Sequence, residues 1–175
     1  MIKSILAIAT AAVLSSGLTA QVMGSINRGA AKVSNVIEMG SHKLHVHYTA
    51  IRFGEGMWKK MKDNADMHER FNTRAESSPL GSVETNCDVQ VAGKMVPAGK
   101  YSMFFTVHAD HGWILNLKPA KGDTIRWGMK LSEGKDTKCM KISLEPSEKN
   151  GMCSLSIAFG DMRVTVPVMV AEKKK

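Results

Sequence analysis

The sequence predicts an all-β fold, an antiparallel β-sandwich of about eight or nine strands with one short helical insertion. Three observations predict it. From residue 33 onward apolar side chains recur at every second position, the period of a half-buried strand. Turn residues close each run after a few positions, and most neighbouring runs have no helical stretch between them.

The elements follow in order. Residues 1–20 carry Lys3, the apolar run "ILAIATAAVL" and the small-residue exit "SSGLTA", which is the layout of a secretory signal. Cleavage after Ala20 is expected, and that run is too short to span a bilayer. "QVMGSINRGAAK", residues 21–32, has no period and reads as a lead-in. The sandwich proper is expected over 33–170 as one domain. In "KLHVHYTA", Leu44, Val46, Tyr48 and Ala50 share one face, and Lys43, His45, His47 and Thr49 the other. Residues 52–81 break the alternation. Met57, Trp58, Met61 and Ala65 stand at helical spacing there, which predicts a short helix around 55–65 inside an otherwise looped insertion.

Alternation resumes in "SVETNCDVQV", with Val83, Thr85, Cys87, Val89 and Val91 on one side. "YSMFFTV" turns Tyr101, Met103, Phe105 and Val107 inward, and "WILNL" follows the loop "HADHG". "CMKISL" buries Met140, Ile142 and Leu144 and turns Cys139 outward. "CSLSIAF", Gly160-Asp161 and "MRVTVPVMV" then read as a hairpin. A two-residue turn there sets Phe159 opposite Met162, Ile157 opposite Val164, Leu155 opposite Val166 and Cys153 opposite Val168, so four apolar pairs share a face. Pro167 suggests that this last strand lies at a sheet edge. The terminal segment 171–175 is a basic tail.

Composition narrows the function classes. The formal charge of +8 is spread along the chain, which suits solubility and a weak attraction to an anionic cell-envelope component. Nucleic acid is a poor partner for an exported chain with no clustered basic and aromatic residues. No stretch after the leader reaches transmembrane length, so a periplasmic or extracellular location is expected. Three cysteines enter that oxidising compartment. Strand parity sets Cys139 and Cys153 on opposite faces, whereas Cys87 and Cys153 both point inward and could pair; free core thiols are the simpler expectation.

"DVQVAGKMVPAGKYSMFFTVHADHGWILNL", residues 88–117, resembles the domain-of-unknown-function family numbered 2911. The shared features are an Asp-Val strand, a Gly turn, Pro-Ala-Gly, a Tyr-led strand and a Trp-led strand ending in Asn. The likeness covers most of 33–170 and implies export and a β-sandwich, with no established activity attached. The family often carries Trp-Arg and Gly-Ala-Asn just before the Asp-Val strand; the nearest match here is "ERFNTRAESS", with Arg70, Phe71 and Asn72, lacking the glycine and spaced further away.

Candidate chemistry is sparse. His45 and His47 lie on one polar face, about 7 Å apart by the rise of two strand residues. They could ligate copper or zinc only with a third donor, such as His68, His108, His111 or one of the thirteen methionines. Without it they are the wet face of a strand, and no metal or other cofactor is expected. Glu55, Asp63, Asp66 and Glu69 crowd the insertion and could build a hydrolase, but a solvated helix with Lys59, Lys60 and Lys62 explains the same letters. The favoured expectation is a non-enzymatic binding module for a small ligand or envelope component. Its site would lie in 52–81, with Trp58 as platform and Arg70 and Asn72 as polar contacts.

Overall fold

The computed structural model describes residues 29–56, 64–108, 112–130 and 132–171; the leader expected over 1–20 lies outside them. Two antiparallel sheets face each other, as the alternation requires. One holds β1 (Lys32–Met39), β2 (His42–Thr49), β3 (Gly81–Thr85), β6 (Gly99–Val107), β7 (Trp113–Pro119) and β8 (Ile125–Met129), side by side in that order. The other runs β5 (Lys94–Val96), β4 (Val89–Val91), β10 (Met152–Val170) and β9 (Ser132–Pro146). Leu44, Val46, Met103, Leu115 and Leu117 of the first sheet meet Val89, Val91, Ile142, Leu155 and Val168 of the second in one core. The flanks are stitched by side chains. Asn35 of β1 donates to the Ile142 carbonyl of β9. At the opposite flank the Trp127 indole N–H of β8 donates 2.7 Å to the Val91 carbonyl of β4.

β10 is extended over 19 residues, which in a straight strand would separate its ends by about 60 Å. Its ends touch instead. The Val170 N–H donates 2.8 Å to the Gly151 carbonyl, and the Ser156 and Thr165 hydroxyl oxygens lie 2.9 Å apart. The chain therefore doubles back at Gly160-Asp161, in the register the sequence predicts. Gly160 takes φ +60°, open to glycine at little cost. One arm pairs residues 153–158 with β9, and the other pairs 168–170 with β4. β9 outruns the first arm and curls around the tip, where Gly160 faces Thr137 and Met162 faces Glu133 across register shifts.

Two expectations need correction. Pro167 is not on an edge, because its arm lies between β4 and the other arm; it is tolerated where β4 turns away at Ala92-Gly93, and its carbonyl accepts the Ala92 N–H at 3.0 Å. "SVETNCDVQV" is not one strand. It leaves the first sheet at Thr85 and enters the second at Val89, and Thr85 Oγ1 accepts the Cys87 N–H in the crossing. Parity survives because both strands turn the same residues to the shared interior. Among the described residues the strands number ten, close to the eight or nine expected. The helix expected around 55–65 shows only Glu55–Gly56 as helical among described residues, since 57–63 lie outside them.

The described helix, α1 (Ala65–Ser77), lies further on. Asn64 caps it, its side chain accepting from the Met67 N–H, and Asp66 and Arg74 suit the two ends of the helix dipole. Met67 and Phe71, four residues apart, pack against the core.

The segment carrying the family likeness is architectural. Ala92 (φ +47°) and Gly93 (φ +80°) form the tight turn from β4 to β5. Asp88 accepts the Ala98 N–H at 2.8 Å, and the Tyr101 hydroxyl donates 2.7 Å to the Pro97 carbonyl. The Pro-Ala-Gly turn is thereby tied from both sides.

Candidate functional site

The insertion closes one end of the sandwich. Leaving β2, the chain runs beside the outer edge of β9, where the Phe53 N–H donates to the Lys138 carbonyl and Ile51 accepts the Met140 N–H. This sets Phe53 edge-on to Phe159 with ring centres 5.0 Å apart. From the other side α1 brings Phe71 edge-on to Trp113 at 6.2 Å, and Trp113 meets Phe159 at 6.4 Å. A chain of aromatic edges results, with both ends supplied by the insertion. Beneath it lies an apolar crevice lined by Phe105, Trp113, Met129, Met140, Ile157, Phe159, Met162 and Val164, enclosing a void of about 20 Å³. Met140 and Ile157 are buried in its floor, and Met129, Phe159 and Met162 are half-buried at its mouth. A second void of similar size lies in the core around Met103. Each has room for about one water, far below the several hundred Å³ of an organic-ligand pocket.

The candidate residues of the insertion take different places. Trp58 lies outside the described residues. Arg70 is exposed on α1. Asn72 is bound at both ends of its amide, accepting the Val107 N–H at 2.8 Å and donating to the Val107 carbonyl at 2.9 Å. β3 pairs with β6 only as far as Met103, so the side chain of Asn72 occupies the ladder position that β3 vacates. Its observed role is to clamp α1 onto β6. Lys118 of β7 adds an exposed ion pair with Glu76 at 2.6 Å, of small energetic value. Under this cover lie Phe104 and Asn116, buried although they point away from the inter-sheet core.

Of the insertion's acids, Glu55, Asp66 and Glu69 are exposed, and Asp63 is outside the described residues. The first three offer no desolvated carboxylate of the kind acid–base catalysis exploits.

His45 and His47 are neighbours on the face of β2 opposite the buried Leu44, Val46 and Tyr48, with ring centres 3.7 Å apart. Ser34 Oγ lies 2.7 Å from His45 Nε2, and Glu84 stands beside His45 on β3. Among the described residues no three of His, Cys, Asp or Glu are grouped to hold a metal ion. Desolvation, then the charge of His47, hold the His45 imidazole below its ordinary value against the pull of Glu84. The neutral ring is the form the fold favours. Its contribution to stability is full above the unfolded histidine value near 6.5 and is lost as pH falls through the lower folded value. Stability should therefore decline more between pH 7 and pH 5 in the wild type than in His45→Gln, measured by urea denaturation. Equal slopes would show that the fold does not hold the His45 imidazole below its ordinary value.

Cys87 and Cys139 are half-buried and Cys153 is buried; all three are free thiols. Burial pushes the Cys153 thiol up to about 11, leaving it protonated at neutral pH.

The methionines of the crevice are the feature that sequence reasoning missed. Met129, Met140 and Met162 come from three strands, so no local pattern in the sequence brings them together.

No curated protein and no solved structure compared with the chain matches it. The family described as "Protein of unknown function (DUF2911)" matches residues 31–170, from the start of β1 to the end of β10. The chain belongs to that family.

Proposed function

We propose that this chain is an exported, non-enzymatic binding module, and that its ligand, a small molecule or envelope component, engages the apolar crevice at the insertion end. One observation carries the reading. The insertion supplies the outer two rings of an aromatic chain, Phe53 and Phe71, over a crevice with half-buried side chains at its mouth. The void itself holds about one water, so an organic ligand would engage the half-buried side chains at the rim rather than enter it. Trp58 and Arg70 belong to the same insertion and are offered as its platform and polar contact. No helix among the described residues is long and apolar enough to cross a membrane, which is compatible with export.

Two measurements test this. Mass spectrometry of secreted material should give a chain starting near Gln21, and a retained leader would count against export. Methionine methyl NMR should show Met129 and Met162 signals moving on addition of fractionated envelope extract. Trp58→Ala and Arg70→Ala should abolish the movement and keep the melting temperature. Unmoved signals in the wild type, or unfolding of either variant, would remove the site from the insertion.

A further inference from the structure

Three thioethers line the crevice, and they bear on the class of ligand. Met129 of β8, Met140 of β9 and Met162 of β10 line it from separate strands, together with Trp113 and four other apolar side chains. The void of about 20 Å³ suits a single ion and is too small for an organic molecule. Thioether sulfur is soft and uncharged, so it selects copper(I) over divalent ions of harder character. An apolar lining opposes a second positive charge, since desolvating a charge is costly.

We propose that Met129, Met140 and Met162 form a copper(I) site in this crevice. The proposal rests on the reading that the crevice binds a ligand, and it names that ligand as a soft monovalent cation. It does not involve His45 and His47, which lie on the outer face of the first sheet. Thioethers, unlike thiols, cannot be lost to disulfides in an oxidising compartment, so the donor set fits an exported chain.

The test titrates the protein, labelled at its methionine methyls, with silver(I) as a redox-inert probe and then with copper(I). One equivalent should shift the methyls of Met129, Met140 and Met162 together and leave exposed Met95 unmoved. Zinc(II) and copper(II) should leave all four in place. The triple variant Met129→Leu, Met140→Leu, Met162→Leu keeps volume and apolarity, so its melting should stay close to wild type. Its affinity for that equivalent should fall at least a hundredfold. Silver(I) that leaves the three methyls unmoved overturns the proposal, as does a triple variant that binds like wild type, which would assign the ion to cysteine or histidine. If an envelope extract moves the same methyls where silver(I) does not, the copper inference fails and the crevice reading stands. If neither moves them, both fail.

Discussion

Gly160→Val should destabilise the protein by about 3 kcal/mol or more, since two independent costs add. A β-branched residue at φ +60° costs about 1–2 kcal/mol of backbone strain. A Cβ there would also stand 2.6 Å from the Phe53 ring, so the ring must leave its edge-on contact with Phe159. Urea denaturation measures the loss, and a double-mutant cycle separates the two parts. With Phe53→Ala in the background the steric cost should vanish and the backbone cost remain. A loss below 1 kcal/mol would show that β10 does not turn at this glycine. The Phe53 displacement should also reach the crevice, because Phe53 packs on one of its walls, Phe159.

The turn at Gly160 shows how far the sequence could be read. Inward residues are odd-numbered through Ile157 and even-numbered from Val164, and this change of parity is what a two-residue turn produces. Burial of Cys153 follows from the same period of two; Cys139, turned outward by it, is nevertheless half-buried, with Arg52 of the insertion bridged to it. Period says nothing about which sheet a strand joins, so the crossing between Thr85 and Val89 was invisible: both sides of the sandwich demand the same inward residues. The position of Pro167 misled for a related reason. A proline marks a missing ladder bond, and that bond can be absent inside a sheet where the neighbour turns away.

The insertion carries two apolar stripes at helical spacing, one through Met57 and Met61, outside the described residues, and one through Met67 and Phe71. The second forms a described helix because Asn64 caps it. The crevice could not be read at all. Its lining comes from β6, β7, β8, β9 and β10, and nothing local in any of them distinguishes a methionine that fills a core from one that faces a void.

The sequence offers Asn72 as a ligand contact, and in the structure it also has a measurable task, bonding both backbone groups of Val107. Asn72→Ala should cost about 2–6 kcal/mol, because the Val107 N–H and carbonyl both lose their partner where water has poor access, at about 1–3 kcal/mol each. The loss should be local before it is global. α1 is held to the sandwich by this amide, by Met67 and Phe71 packed on the core and by an exposed ion pair, so it should open as a unit. Hydrogen exchange should then show the Val107 amide and the α1 amides unprotected together, while those of Met103 and Leu115 stay slow. Asn72→Asp should recover little, since a carboxylate can accept from the N–H but faces the Val107 carbonyl with no donor. Opening α1 also withdraws Phe71 from the aromatic chain, so ligand-induced movement of the Met129 and Met162 methyls should weaken in parallel with the loss of protection. If binding is lost while Val107 stays protected, Asn72 touches the ligand itself. If protection is lost and binding is unchanged, the site does not depend on the insertion, and the half of the crevice formed by β9 and β10 is sufficient.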